Sequence, residues 1–577
     1  MKTPRLFLAA AFSGVLLWTA FFPLDLGPVS CIALAPFLLL VRAEATRRKR
    51  YAAAYLGGFV FFALAVNWVQ VAHPMMRLFT WPAGALYCAC YWPAALVLLR
   101  WIDSLGKVPL TVSLPVVWVA LEYFRSHFPT GFPFLSAVGL HQLIGFNWYA
   151  LGYSMHGFLP VIQAADLGGV YLISAAIASL NGAAYGWLVR SSRLRTLFAL
   201  PVEPKRRTFI FEAYETAWAS IFPILVICYG TVQLAHPPYT VGPRVAAIQG
   251  SVPQNEKMVK ESVDGITPLE REYLPLSARA ALPAETTPRP DLVIWPETCF
   301  PYDWDSLAPN FTDAVPEAAR VRLGVSRSNE FFRSRLEGLP PVPLLLGLNR
   351  LEWSGMESAT KFNAAMLFDG NKIPVGAYDK MHLVPFGEYV PFRSKFLQNF
   401  TPYKGDYSCE PGTNWTVFTI PAAKSGETFR FGLLICYEDT DPLIARQYNP
   451  LSGRGHDVDF LVNISNDGWF TGTEEHEQHL AICRFRAVEA RRSIVRAVNT
   501  GISAIIDPDG RIQNLPDPSS NWAKSKVTAA VVRGEVLIDT RGTYYAQFGD
   551  WVPAVCWLVI VVLTAWAWLN SRRTPSA

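Results

Sequence analysis

Three side chains in the 577-residue chain have the types and the placement to do chemistry together. Glu297 closes the apolar run Leu292-Val293-Ile294-Trp295-Pro296. Cys436 closes Phe431-Gly432-Leu433-Leu434-Ile435 and is followed by Tyr437, Glu438 and Asp439. Lys380 lies in the string Tyr378-Asp379-Lys380-Met381-His382-Leu383-Val384-Pro385-Phe386-Gly387-Glu388. A polar residue that ends a buried strand is aimed at the rim of a sheet, where the working groups of α/β folds gather. A thiol is a weak nucleophile until it loses its proton, and a nearby general base or ammonium promotes that loss. Cys, Glu and Lys therefore make a coherent set of nucleophile, base and cationic stabiliser, with no His required. Spacing alone leaves plainer readings open. A Cys at a strand end is commonly a small buried apolar residue, Glu297 a loop residue after Trp-Pro, and Lys380 a solvated charge.

Longer strings around these residues carry a resemblance. Val293 to Glu297 (VIWPE), Lys380 to Pro391 (KMHLVPFGEYVP) and Leu434 to Glu438 (LICYE) are similar to the three signature segments of the nitrilase superfamily, in the same order Glu, Lys, Cys. Asn463 to Phe470 (NISNDGWF), Gln478-His479, Arg484 to Glu489 (RFRAVE) and Asn499 to Ser503 (NTGIS) narrow it further. With the apolar segments described below, the chain resembles the apolipoprotein N-acyltransferase family over nearly its whole length. The resemblance implies an α/β fold, a nitrilase-like αββα sandwich domain plus an eight-helix transmembrane bundle. It implies transfer of an acyl chain from a phospholipid, phosphatidylethanolamine above all, to the N-terminal amine of the diacylglyceryl-cysteine of a lipoprotein. Cys436 then carries a thioester, Glu297 acts as base and Lys380 stabilises charge. Glu388 corresponds to a supporting glutamate, Tyr437 and Glu438 to the residues after the nucleophile, and Asn363 and Trp469 join the supporting or substrate-binding set. No cofactor, metal or nucleic-acid partner is implied, and the protein is expected to be a monomer. Met258 stands where the family often carries Trp, and extra length lies at 303–341 and 441–455 as lids, partner surfaces or inert loops. A membrane-tethered nitrilase-type amidase is the alternative, since it uses the same three residues.

The elements that must position these groups fall into two kinds. Hydrophobic residues make up 51% of the chain and charged residues 17%, and mean hydropathy is +0.21. Ordinary soluble proteins carry about 25% charged residues, so a purely soluble enzyme and a disordered chain are both excluded. The net charge of +5 is too small an excess to argue for nucleic acid. A helix needs about 20 apolar residues to cross the hydrocarbon. Spans are expected near Leu6–Phe22, Val29–Val41, Tyr51–Val71, Trp81–Leu99, Leu110–Phe124, Leu159–Leu188, Ala217–Leu234 and Trp551–Ser571. Basic residues collect in alternate gaps: Lys2 and Arg5, Arg42 to Arg50, Arg100 and Lys107, Arg190 to Arg207, and Arg572-Arg573. Basic loops stay on the cytoplasmic side, so both termini are expected there, in a multi-pass protein of the bacterial inner membrane. Residues 1–240 then form the bundle, 241–545 a periplasmic domain, and 546–577 the last helix and tail.

The periplasmic stretch alternates short apolar runs with helical patterns. Candidate strands are Arg244–Gln249, Leu292–Trp295, Leu344–Leu348, Ala364–Phe368, Phe431–Cys436, Phe460–Ile464, Ile494–Val498 and Ser503–Ile506, with a helix over His476–Arg491. His476 and His479 are spaced HxxH rather than HExxH, which reads as a solvated or family-specific loop before that helix rather than a metal centre. Asp166, inside the sixth span, is expected to face protein or the outer surface, since a charge facing lipid is costly. Cys299 and Cys409 are open to either pairing or two reduced thiols.

Overall fold

The computed structural model describes residues 4–573 apart from 107, 130, 133–144, 199, 201–208, 236, 260–264, 283–287, 313–316, 356–357, 391–397, 399–406 and 450–456. Lys107, Lys205, Arg206, Arg207, Pro391 and the stretch 450–455 of the second insertion lie outside the described residues. The chain divides into two units, Met1–Pro237 with Phe548–Ala577, and Pro238–Gln547.

The first unit is built from apolar helices. Three of them, Met76–Ser104, Ala165–Leu188 and Trp551–Asn570, are long and apolar enough to cross a bilayer, and Arg5–Thr19, Gly27–Arg42 and Ala219–Ala235 are shorter apolar helical stretches. The region of the second expected span is not one continuous helix. A 3₁₀ turn at Gly27–Val29 leads to the helical segments Ser30–Ala33 and Ala35–Arg42, with a proline in the first turn of the latter. A helix broken in lipid leaves backbone groups without partners, and protein must supply them. Asn181 does so: its Oδ1 accepts from Leu34 N at 2.7 Å and its Nδ2 donates to Ser30 O at 2.8 Å. The sixth span is also interrupted, at Gly168 and at Gly169, whose φ of +65° is a backbone state that glycine adopts without steric cost. Three charged side chains of this unit, Asp166, Glu122 and Arg125, are buried and bonded. Asp166 accepts from Tyr229 Oη at 2.9 Å, Glu122 Oε1 accepts from Leu151 N at 2.7 Å, and Arg125 Nη1 donates to Trp148 O at 2.6 Å.

The second unit is two sheets face to face. The first holds β1 (Tyr239–Gln249), β2 (Leu292–Ile294), β3 (Trp304–Leu307), β4 (Leu344–Trp353), β5 (Ala359–Phe368), β6 (Pro374–Asp379) and β13 (Ala530–Asp539), in the order β13-β1-β2-β4-β5-β6 with β3 beside β4. The second holds β7 (Phe418–Pro421), β8 (Thr428–Ile435), β9 (Phe460–Ser465), β10 (Ile494–Val498), β11 (Ala504–Ile506) and β12 (Ile512–Asn514), in the order β12-β11-β10-β9-β8-β7. Strand pairs β1/β2, β2/β4, β8/β9 and β9/β10 are parallel. Such strands are covered on both faces and read as unbroken apolar runs.

The alternation of side chains then sorts each run into two cores. Val245, Ala247, Leu292, Ile294, Leu433, Ile435, Val462 and Ile464 meet between the sheets. Ala246, Ile248, Val293 and Trp295 point the other way, against the helices Pro268–Ala281 and Ala318–Leu336. Leu434 and Leu461 face the helices Pro442–Gln447 and Glu475–Ala490. The result is the layer order helix, sheet, sheet, helix. The first insertion is not a loop: it contributes β3 and the helix Ala318–Leu336, whose Phe332 and Leu336 are fully buried.

Candidate functional site

The parallel strands deliver their C-terminal ends to one rim, and the loops leaving β2, β6 and β8 carry Glu297, Lys380 and Cys436 there. The loop after β2 lies against β4. Trp295 N donates to Leu345 O at 2.8 Å and Phe300 N to Gly347 O at 3.0 Å. A Cβ on Gly347 would stand 2.2 Å from Pro296 O and 2.7 Å from Glu297 Cα, so only glycine lets the Glu297 main chain lie this close.

Glu297 is 6% exposed, and its two carboxylate oxygens have separate partners. Asn363 Nδ2 donates to Oε1 at 2.7 Å and Lys380 Nζ reaches the same oxygen at 3.3 Å. Asn466 N donates to Oε2 at 3.0 Å. Lys380 is 1% exposed and also bonds Glu388 Oε2 at 2.9 Å. Glu388 in turn accepts from Asn363 Nδ2 at 2.6 Å and Val384 N at 2.7 Å. One ammonium therefore stands between two carboxylates, with Asn363 bridging them. Burial pulls the Lys380 pKa down, but Glu297 and Glu388 together reverse this and hold it well above the ordinary lysine value.

Cys436 begins a 3₁₀ turn, Cys436–Thr440, with a φ of +51°. A non-glycine residue in the left-handed region costs about 1–3 kcal/mol and persists where the surroundings over-determine it. Here the determinant is Glu438. Its Oε2 accepts from Ile435 N at 2.7 Å, its Oε1 from Met381 N at 2.7 Å and His382 N at 3.1 Å, and Tyr378 Oη donates to Oε2 at 3.0 Å. Glu438 thus ties the lysine-bearing loop to the cysteine-bearing turn. Burial, followed by the charge of Glu297, pushes the Cys436 thiol well above its ordinary pKa, against the opposing pull of Lys380. The thiol at rest holds its proton.

Of the other residues singled out from the sequence, Tyr437 is half-buried beside Cys436, and Trp469 is half-buried on the short turn Asp467–Phe470 after β9. His476 and His479 are neither solvated nor in a loop: both are buried within the helix Glu475–Ala490. His479 bonds Asp439 Oδ1 through Nε2 at 2.7 Å and Asp467 Oδ1 through Nδ1 at 3.1 Å. Arg496, 0% exposed, reaches Asp439 Oδ2 and Asp467 Oδ2 at 2.9 Å each. Asp467, Glu475 and His479 offer ligand atoms within 4.8 Å of one another, but Arg496 already supplies a cation to this group. Cys299 and Cys409 are free, buried thiols. Gln254 and Lys257 touch the Glu297 neighbourhood from the one-turn helix Gln254–Lys257 and were not among the expected site residues; the family comparison at Met258, next to them, was the one signal in that segment.

Comparison with known proteins bears on both units. The family profile described as the apolipoprotein N-acyltransferase N-terminal domain matches residues 13–183, and that of carbon-nitrogen hydrolase matches residues 233–536. The apolipoprotein N-acyltransferase of Geobacter metallireducens is 31% identical over 572 residues, covering 98% of this chain and 95% of the relative. That of Azotobacter vinelandii is 29% identical over 587 residues, covering 99% of this chain and 96% of the relative.

Proposed function

The chain belongs to the apolipoprotein N-acyltransferase family, and on that premise we propose that it acylates the N-terminal amine of a lipoprotein's diacylglyceryl-cysteine through a thioester on Cys436. The donor is a membrane phospholipid, phosphatidylethanolamine, and the by-product is a lysophospholipid. The observation that carries the reading is a buried ammonium held between two carboxylates, next to a thiol whose pKa burial pushes up. Such a thiol needs a base at the moment of attack.

Glu297 takes the thiol proton as Cys436 Sγ attacks the donor's ester carbonyl. The tetrahedral oxyanion is stabilised by the Lys380 ammonium and the Tyr437 backbone N–H. One such donor typically contributes about 3 kcal/mol. The C–O bond breaks, the lysophospholipid alkoxide takes the proton from Glu297, and a thioester remains. The lipoprotein amine then attacks the thioester carbonyl while Glu297 accepts its proton. The C–S bond breaks and that proton returns to sulfur. Two half-reactions through one covalent intermediate give ping-pong kinetics. Asn363 and Glu388 keep Glu297 and Lys380 in register, and Glu438 keeps the lysine and cysteine loops together. Trp469 offers an aromatic face to an acyl chain.

The apolar helices suit the substrates, because each methylene withdrawn from hydrocarbon costs about 0.8 kcal/mol. Residues 1–240 and 546–577 anchor the protein in the inner membrane with both termini cytoplasmic, and 241–545 work in the periplasm. Intact mass spectrometry of the protein incubated with phosphatidylethanolamine tests the reading. One acyl chain should accumulate on Cys436 and discharge onto a diacylglyceryl-cysteine peptide. Rapid release of free fatty acid without accumulation would replace this reading with the amidase.

A further inference from the structure

Glu297 is gripped from a side that the proposed reaction does not use. Lys257 closes the one-turn helix Gln254–Lys257 and is 9% exposed. A buried ammonium costs several kcal/mol unless its donors are satisfied. Lys257 Nζ donates to Glu297 O at 2.9 Å and to Thr298 Oγ1 at 2.8 Å. The buried Cys299 thiol feels the same charge and hydrogen bonds to it. Among the described residues no carboxylate lies within ion-pair distance of this ammonium. Its contacts fall instead on three consecutive residues, 297 to 299.

The middle one of the three is strained. Thr298 has a φ of +48°, an outlier for a β-branched residue. A left-handed residue of this kind is kept only by its surroundings, and Lys257 bonds both its side chain and the carbonyl that precedes it. The same helical turn reaches the carboxylate end of Glu297. Gln254 Oε1 accepts from Asn466 Nδ2 at 2.9 Å, and Asn466 N donates to Glu297 Oε2 at 3.0 Å. Asn466 is fixed again by Asn499, whose Nδ2 donates to Asn466 Oδ1 at 2.9 Å. The base is therefore held at its backbone and at its carboxylate from one four-residue element.

We propose that Lys257 is a positioning residue for Glu297: its ammonium clamps the 297–299 turn in its left-handed form and so aims the carboxylate at the Cys436 thiol. The inference rests on the role given to Glu297 above. Lys257 makes no contact with the reacting atoms. It acts by fixing the main chain from which the base projects.

The test is thioester formation by the full-length protein in detergent with phosphatidylethanolamine, followed by intact mass as a function of donor concentration. Lys257→Met should slow the step at least tenfold at saturating donor, with the half-saturating concentration changed less than twofold. Adding Thr298→Gly should recover at least threefold, since glycine takes a positive φ without strain. Should Lys257→Met fail to give a folded protein by its melting transition, Lys257→Gln, which keeps two donors and drops the charge, takes its place in the same measurement. An unchanged rate, or a loss confined to donor affinity, overturns the proposal. Glu297→Gln separates the two failures. If it retains the full rate, the base assignment itself is wrong. If it abolishes the step while Lys257→Met does not slow it, only the clamp is wrong.

Discussion

Two buried charge clusters lie at the C-terminal ends of the sandwich strands, and they are finished differently. Asp439, Asp467, His479 and Arg496 form a closed ring. Each carboxylate gives one oxygen to the guanidinium and the other to the imidazole, at 2.7 to 3.1 Å. Ser465 Oγ donates to Asp467 at 2.6 Å as well. The cluster of Glu297, Lys380, Glu388 and Asn363 is open. Asn363 Oδ1 is buried without a hydrogen-bond partner, Glu388 is 15% exposed, and the neighbouring thiol is only half-buried. Two carboxylates there share one ammonium, so the cluster is one positive charge short. Arg496 Nε, inside the ring, is also buried without a hydrogen-bond partner, so unsatisfied polarity is common to both clusters. What separates them is access: the four ring residues are at most 2% exposed, whereas Glu388 and Cys436 are open in part. The difference teaches that burial and charge alone do not mark a candidate site, and that an opening to another molecule is needed as well.

Substitutions can break this contrast. The largest effect is expected from Cys436→Ala, which should remove the acyl adduct and reduce lipoprotein acylation to background, with an unchanged melting transition. The next two form a pair. Arg496→Met leaves Asp439 and Asp467 buried without their cation, a change that typically destabilises by about 3–5 kcal/mol. It should lower the denaturation midpoint sharply while the folded fraction keeps its rate. Lys380→Met should do the reverse, losing at least about a hundredfold in thioester formation, about 3 kcal/mol, with a smaller change in midpoint. Equal stability losses in the two variants would erase the distinction drawn between the clusters.

The smallest effect is one of pH. Burial and Arg496 pull the His479 pKa down, but Asp439 and Asp467 outweigh them and raise it to about 10 from an ordinary 6.5. A group that binds its proton more tightly when folded contributes its full stability below the unfolded pKa and loses it as pH rises through the folded one. The midpoint should therefore fall between about pH 6.5 and about pH 10. In His479→Gln the slope over that window should flatten, read from melting curves at pH 6, 8 and 10.

Much of the sandwich could be read in advance because its inner strands are covered on both faces. Runs such as Phe460–Ile464 and Ile494–Val498 are apolar throughout, and they appear as strands Phe460–Ser465 and Ile494–Val498. The edges were not legible. Pro374–Asp379, Phe418–Pro421 and Ala530–Asp539 mix Pro, Thr, Gly, Arg and Glu with their apolar residues, since only one face meets a core. The insertion at 303–341 concealed a helix because its apolar residues are spaced among arginines and serines. His476 and His479 were misjudged for a related reason: the helix that carries them is buried on every side, so its charged residues resemble a solvated surface in one dimension.

What the sequence determined by itself was which residues are candidates for chemistry and which strand ends they follow, because a polar residue after a buried apolar run has few places to go. The nature of the apolar N-terminal half was equally plain, since a low content of charge over so many residues has one physical use. Only the tertiary structure decided the partners. Lys380 meets Glu297 across 83 residues, Asn466 meets it across 169, and Lys257 reaches back across 40. These bonds depend on which strands pair and how closely their loops approach, down to the missing side chain of Gly347. Hydrophobic pattern fixes where a strand is buried, but the direction of a single hydrogen bond is fixed by packing in three dimensions, and no periodicity along the chain encodes it.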